Sequence, residues 1–332
     1  MTGHSLRTPH ADYAGRRVLV TGATGLIGAQ LVHALLDLGA AIHAFIVPEP
    51  EPLSALVRSG DIARVTVHRG RLEQPAALQQ AVERSRPEVV FHLAAQTQVR
   101  AARERPVETF ATNISGTWTL LEACRGLMTP PLAIAVASSD KAYGASDHLP
   151  YVETDALAGE EPYEASKAAT DIIARTYAVA YGLQTRIARC GNVYGIGDAN
   201  WDRIVPGTIR AYLRGERPIL RSDGTPVRDY VHVADVVDAY LALGQPGIRP
   251  GEPFNFSSGE RRSVLEVVEG IRIAIGATLP PAVIGDARGE LAEQYLDSSK
   301  ALRLLGWSAR RRMAEALPEM IDWYRGAVAA TG

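Results

Sequence analysis

Ser139, Asp140, Lys141, Tyr163 and Lys167 bring a hydroxyl, a carboxyl, two amines and a phenol into one stretch of the chain. Tyr163 and Lys167 are four residues apart, so on a helix they share one face. A free phenol titrates near ~10, and a neighbouring cation favours the phenolate and lowers that value. An amine is a base only when neutral, and a carboxyl is an acid only when protonated. Desolvation drives both that way, raising Asp and lowering Lys. The competing reading is that Asp140 and Lys141 form a solvated ion pair worth ~0–1 kcal/mol. Adjacent strand residues point to opposite faces, which favours that reading unless the chain has already turned at Asp140.

The elements that must position these groups can be read from apolar runs and glycines. Leu132 to Ala137 reads as a buried strand. Its polar end, Ser138-Ser139-Asp140-Lys141-Ala142-Tyr143-Gly144, falls where open α/β sheets bind ligands. Pro162 opens a helical pattern running to about Tyr181. Upstream, Arg17 to Thr21 is a strand, and Gly22-Ala23-Thr24-Gly25-Leu26-Ile27-Gly28 opens a helix to Leu38. Strand, glycine turn and helix make a dinucleotide cradle: Gly22 for the tight turn, Gly25 for approach to a pyrophosphate, Gly28 for helix–strand packing. Further strands are expected at Ala41–Val47, Val65–His68, Val89–Gln96 and Gln184–Arg189, and a helix at Val107–Arg125. This alternation specifies a Rossmann-type, doubly wound parallel sheet. His92, in an apolar strand, reads as a packed core residue. Asn113 is unfavourable inside a helix, which points to a job for its side chain.

The acid that holds a ribose usually stands about 20 residues past the glycines. Val47-Pro48-Glu49-Pro50-Glu51-Pro52 occupies that place. Glu49 is a candidate, with a solvated loop residue as the alternative. No arginine stands there to meet a 2′-phosphate, which favours NAD over NADP.

Beyond Arg189 the alternation breaks. Cys190 to Gly195 reads as a loop, and helices are expected after Trp201–Pro206 and Arg228–Asp235, near Val264–Ile275 and near Met313–Val328. The expected division is a cofactor domain at 14–190 with a return segment near 229–245, and a smaller mixed α/β substrate domain at 191–228 and 246–330. Ala309-Arg310-Arg311-Arg312 reads as solvated surface, and Met1 to Tyr13 as a loose tail.

A chain of 332 residues with net charge -2 does not suit a nucleic-acid partner that needs a basic face. Two cysteines, Cys124 and Cys190, make no disulfide framework and fit a reducing compartment. Met1 to Gly15 carries no apolar signal-peptide core, and no apolar run reaches membrane-spanning length. A cytoplasmic location is expected.

Taken in order, Gly22/Gly25/Gly28, His92-Leu93-Ala94-Ala95-Gln96, the Tyr163/Lys167 pair and Arg228-Asp229 near Asp235 resemble the extended short-chain dehydrogenase/reductase family over nearly the whole chain. The Asp140-Lys141 pair is similar to that of the CDP-glucose and UDP-N-acetylglucosamine 4,6-dehydratases. Pro106 to Asn113, Gly191-Asn192-Val193-Tyr194-Gly195 and Asp202-Arg203-Ile204-Val205-Pro206 look most like the CDP-glucose group. The resemblance implies NAD as cofactor, held by Gly22, Thr24, Gly25, Leu26, Ile27, Gly28, Leu72, Leu93, Ala94, Ala95, Gln96, Thr112, Tyr163 and Lys167. It implies Ser139, Asp140, Lys141, Tyr163 and Lys167 as catalytic residues, with Lys141 the base at C5 and Asp140 the acid at the C6 hydroxyl. Asn192, Arg203, Arg228 and Arg288 become candidates for a nucleotide-sugar substrate, and a homodimer through two helices per subunit is implied. Arg71 stands where the family often has an aspartate touching adenine. Alternatives left open are a 4-epimerase, a dehydratase of a dTDP-, GDP- or UDP-sugar, and a non-enzymatic sugar-nucleotide sensor on the same fold.

Overall fold

The computed structural model describes residues 13–285 and 291–329. Its first half runs β1 (Arg17–Thr21), α1 (Leu26–Asp37), β2 (Ala41–Ile46), α2 (Ala55–Arg58), β3 (Thr66–Arg69), α3 (Pro75–Ser85), β4 (Val89–His92), α4 (Val99–Glu104), α5 (Pro106–Phe110), α6 (Gly116–Arg125), β5 (Ala133–Ala137), α7 (Pro162–Tyr181) and β6 (Thr185–Cys190). The second half runs β7 (Asn192–Tyr194), α8 (Ile204–Leu213), β8 (Ile219–Leu220), β9 (Val227–His232), α9 (Val233–Leu243), β10 (Glu252–Phe256), β11 (Arg261–Ser263), α10 (Val264–Ile275), β12 (Ala282–Val283), β13 (Glu293–Gln294), α11 (Ser299–Leu305) and α12 (Met313–Ala329).

Seven parallel strands order as β10-β6-β5-β4-β1-β2-β3. Strand order reverses between β1 and β4, and a crevice opens beyond the strand ends at such a switch point. The strands read as continuous apolar runs because both sheet faces are covered. Val18 and Val20 pack with α1 and α9, while Leu19 packs with α3 and α6. Fully burying each such side chain stabilises the fold by ~1.5–3 kcal/mol.

The doubly wound sheet expected from the sequence is present, with several local differences. Residues 252–256, expected in the substrate domain, form β10 and pair with β6 at the sheet edge. The segment 229–232, expected in the return, belongs to β9 and pairs with β7, β11 and β13 in a second, small sheet. Short strands with charged residues carry little period-2 signal, so they escaped a reading based on apolar runs. Cys190 to Gly195 is likewise no simple loop, since Asn192 to Tyr194 form β7. The small sheet packs with α8, α10 and α12 around a separate apolar core that includes Tyr230, Ile209, Val268 and Met320. Tyr13, expected in a loose tail, is buried, and its hydroxyl donates to the Leu241 carbonyl at 2.8 Å; residues 1–12 lie outside the described residues. Arg311 is not merely solvated: it is ion-paired at 3.2 Å with the buried carboxylate of Asp235.

Candidate active site

The cradle predicted after β1 has the required shape. Gly22 sits at φ +71°, and a Cβ there would lie 2.7 Å from the Ala94 nitrogen. A Cβ on Gly28 would meet the Gly22 carbonyl oxygen at 2.1 Å, so only glycine lets α1 start against the turn. At Gly25 the nearest obstacle is 3.4 Å away, which leaves backbone open to a ligand. A cleft of about 1040 Å³ runs over this turn. Gly22, Thr24, Gly25, Leu26, Ile27, Gly28, Leu72, Leu93, Ala94, Ala95, Gln96 and Thr112 all line it. A dinucleotide's pyrophosphate fits the start of α1, whose first N–H groups point to the cleft end of the helix. Glu51, not the exposed Glu49, lines the cleft after β2, and Arg71 lines it as well.

The end of β4 is held by a directed chain of hydrogen bonds. The Thr117 hydroxyl donates to the Asn113 carbonyl at 2.6 Å, so its oxygen is left to accept from His92 Nε2 at 3.1 Å. His92 Nδ1 then accepts from the Thr21 hydroxyl at 2.8 Å, whose oxygen accepts from the Leu93 and Ala94 N–H groups, each at 3.2 Å. This pattern requires a neutral imidazole with its proton on Nε2. Burial pushes His92 down to about 3, with the Lys167 charge acting the same way. The core reading of His92 therefore holds, and its task is to fix backbone that lines the cleft.

Asn113 has the job that its place implied. The expected helix from Val107 to Arg125 is interrupted by a π-helical turn at Ala111–Ser115, a device common at functional sites. There the Asn113 side chain accepts from Gln96 N at 2.7 Å and donates to Gln96 O at 3.0 Å and Ser166 Oγ at 2.9 Å. Ser166 in turn donates to the Tyr163 carbonyl at 2.7 Å. One amide thus ties the end of β4 to the first turn of α7.

Beyond β5 the chain has turned by Asp140. Asp140 to Tyr143 form a 3-10 turn capped by Ser139, whose oxygen accepts from Lys141 N at 3.2 Å. The Ser139 hydroxyl donates to Asp140 Oδ1 at 2.8 Å. Asp140 is 2% exposed, and its Oδ2 is buried without a hydrogen-bond partner among the described residues. Lys141 is half-buried, and its ammonium donates to Gln294 Oε1. The solvated ion pair is thereby excluded: the carboxyl is inside and the amine faces a buried amide.

Tyr163 and Lys167 share the buried face of α7, which opens with Pro162 and a Glu161/Glu164 capping box. Lys167 Nζ donates to the Ala137 carbonyl at 3.0 Å, at the end of β5. Burial pushes Lys167 down to about 8. The protein's own surroundings raise Tyr163 to about 12 by burial, while the adjacent Ser139 hydroxyl pulls the other way. Desolvation of the phenolate is the largest influence on it, with the Arg203 charge also pulling down.

The substrate candidates are dispersed. Arg228, in β9, is buried, with Nη1 donating to the Val227 carbonyl at 2.8 Å. Asn192 pairs opposite Tyr230 in β7. Arg203 caps α8, pairs with Asp198 at 3.2 Å and lines the rim of the cofactor cleft. Arg288 lies outside the described residues.

A model of the NAD dependent epimerase/dehydratase family matches residues 18–256. The chain belongs to this family. Its members share the NAD cofactor that the cleft fits. Among curated relatives, CDP-glucose 4,6-dehydratase of Salmonella typhimurium is 28% identical over 94% of this chain and 91% of its own. UDP-glucose 4-epimerase of Mycolicibacterium smegmatis is 31% identical over 93% and 98%. DesIV, the dTDP-glucose 4,6-dehydratase of Streptomyces venezuelae solved with NAD, superposes with a TM-score of 0.85 at 27% identity, covering 95% and 98%.

Family membership leaves three groups that sequence reasoning did not single out. Gln294 touches Lys141 from a two-residue strand with no periodic signal. Asp198 lines the cleft beside Arg203. Ser138 Oγ donates to the Lys167 carbonyl at 3.4 Å, an extra tie between β5 and α7.

Proposed function

We propose that this protein is an NAD-dependent nucleotide-sugar 4,6-dehydratase, with CDP-glucose first among its substrates and CDP-4-keto-6-deoxyglucose the product. The observation that carries this reading is the turned-in Ser139-Asp140-Lys141 segment beside Tyr163, with a buried carboxyl oxygen that has no partner among the described residues. A buried polar atom left unsatisfied costs ~1–3 kcal/mol, and a substrate hydroxyl would relieve it. A 4-epimerase inverts C4 and has no use for an acid and a base directed at C5 and C6.

The glycine turn would hold the NAD pyrophosphate, and Leu72, the Leu93–Gln96 segment and Thr112 would enclose the rest. NAD, when bound, supplies reversible two-electron oxidation of the sugar at C4, with the electrons returned at C6. Tyr163 takes the C4 hydroxyl proton, and Ser139 orients that oxygen. The C4 ketone makes the C5 proton acidic; Lys141 removes it, and Asp140 protonates the departing C6 hydroxyl as water. Lys167 positions the groups at the end of β5 through Ala137. Asn192, Arg203 and Arg228 are assigned to the nucleotide and its diphosphate, for which guanidinium forks are suited.

The cofactor half comprises 14–190 with a return through α9 and β10, and the remainder forms the sugar-nucleotide half. Trp118 on α6 is 45% exposed, and Ile172, Val179 and Tyr181 on α7 are 52%, 88% and 57% exposed. These apolar side chains support a homodimer through the two helices. The buried free thiols Cys124 and Cys190 suit a cytoplasmic location; no helix among the described residues is long and apolar enough to cross a membrane.

The test is incubation with a panel of nucleotide hexoses, followed by NMR of the product. A 4-keto-6-deoxy sugar with the cofactor fully recovered supports the reading. An inverted C4 hydroxyl with the C6 hydroxyl intact assigns the 4-epimerase instead.

A further inference from the structure

Gln294 is far in sequence from the turn at Asp140 yet fastened to it at two points. Its side-chain oxygen accepts from Lys141 Nζ, and its nitrogen donates to the Asp140 carbonyl at 3.2 Å. The residue is 0% exposed. Its strand is anchored: Gln294 stands opposite Arg228 in β9. The chain just beyond is bonded to Tyr151, through Tyr151 N to Tyr295 O at 3.0 Å and Asp297 N to Tyr151 O at 2.9 Å. Leu296 N donates to the Asp229 carboxylate at 3.4 Å. A buried amide on a fixed strand of one half thus grips both the side chain and the backbone of a turn in the other.

We propose that Gln294 is a positioning residue for Lys141, a neutral crossbar that fixes the amine without adding charge; this rests on Lys141 being the elimination base. A lysine side chain carries ~2 kcal/mol of rotamer entropy, and a base must sit within hydrogen-bond reach of the proton it takes. An amide oxygen accepts from an ammonium and from an amine alike. A carboxylate in its place would favour the ammonium and remove the base at neutral pH.

The experiment compares the unaltered NAD-loaded enzyme with Gln294→Met and Gln294→Glu on one nucleotide hexose, CDP-glucose. NADH absorbance after rapid mixing reads C4 oxidation, and product mass reads water loss. Gln294→Met is expected to slow water loss roughly 10- to 100-fold, with NADH formation and KM unchanged. Gln294→Glu is expected to move the ascending, low-pH limb of the water-loss profile to higher pH and to regain rate there. Gln294→Met at the full water-loss rate, beside an active unaltered enzyme, overturns this assignment alone. So does a parallel fall of both partial reactions with a lower Tm, which marks a merely structural residue. An unaltered enzyme that removes no water from CDP-glucose or any other nucleotide hexose overturns the assigned function and this assignment together.

Discussion

His92 shows what one buried group does for the site and what it costs. Its chain of bonds from Asn113 to Ala94 works only with a neutral ring, because a protonated Nδ1 could not accept from Thr21. The folded pKa is pushed down to about 3, below the ordinary 6.5. The unfolded chain therefore binds a proton that the folded chain refuses between those values. Stability from this residue is complete above pH 6.5 and is lost as pH falls through the window, by about 3 kcal/mol at pH 4. Urea unfolding of the unaltered protein and His92→Gln at neutral pH and at pH 4 checks this. The acid-induced loss should be smaller in the variant by about that amount; equal losses would contradict it. His92 as a core residue was legible in its apolar strand. Its hydrogen bonds were not, because Thr117 comes from another element.

At the scale of elements, the turn carrying Asp140 and Lys141 is held from below. Tyr143, its last residue, stacks on Tyr151 with ring centroids 4.7 Å apart and donates to Asn255 at 2.7 Å. Arg189 of β6 donates to the Tyr143 hydroxyl at 2.8 Å and to both oxygens of Asp171 at 2.7 and 3.0 Å. Both charges are fully buried. Removing one partner of such a pair strands the other: Asp171→Ala is expected to cost about 3–5 kcal/mol in urea unfolding. Asp171→Asn, which keeps an acceptor for the fork, should retain more of the stability. A loss below ~1 kcal/mol for Asp171→Ala would show the pair to be unimportant. Most of the elements were legible because their apolar periods were long and their glycines had mechanical roles. The π turn at Ala111–Ser115 showed only as an ill-placed asparagine, and β7, β10 and β13 were too short or too polar to announce themselves.

At the scale of the molecule, the parallel sheet and the four-stranded sheet have separate cores, and Gln294 of the smaller one reaches the turn beyond β5 where the proposed chemistry lies. The glycine cradle and the Tyr163/Lys167 face were readable from spacing alone, since both obey local geometry. What Lys141 touches was not readable, since Gln294 arrives from the second sheet by long-range pairing. The proposed dimer belongs to this scale too. Ile172→Glu with Val179→Glu on α7 is expected to shift the protein from dimer to monomer in sedimentation velocity, with its helical circular dichroism kept. An unaltered protein that already sediments as a monomer would contradict the interface.

The most direct measurement is rapid-mixing kinetics of Lys141→Ala on CDP-glucose, following NADH absorbance and product mass together. Tyr163, Ser139 and the cofactor cleft are untouched by this change, so NADH should accumulate on the enzyme while loss of water stops. Water loss at the unaltered rate would contradict the account, because the amine would then have no part in removing the C5 proton.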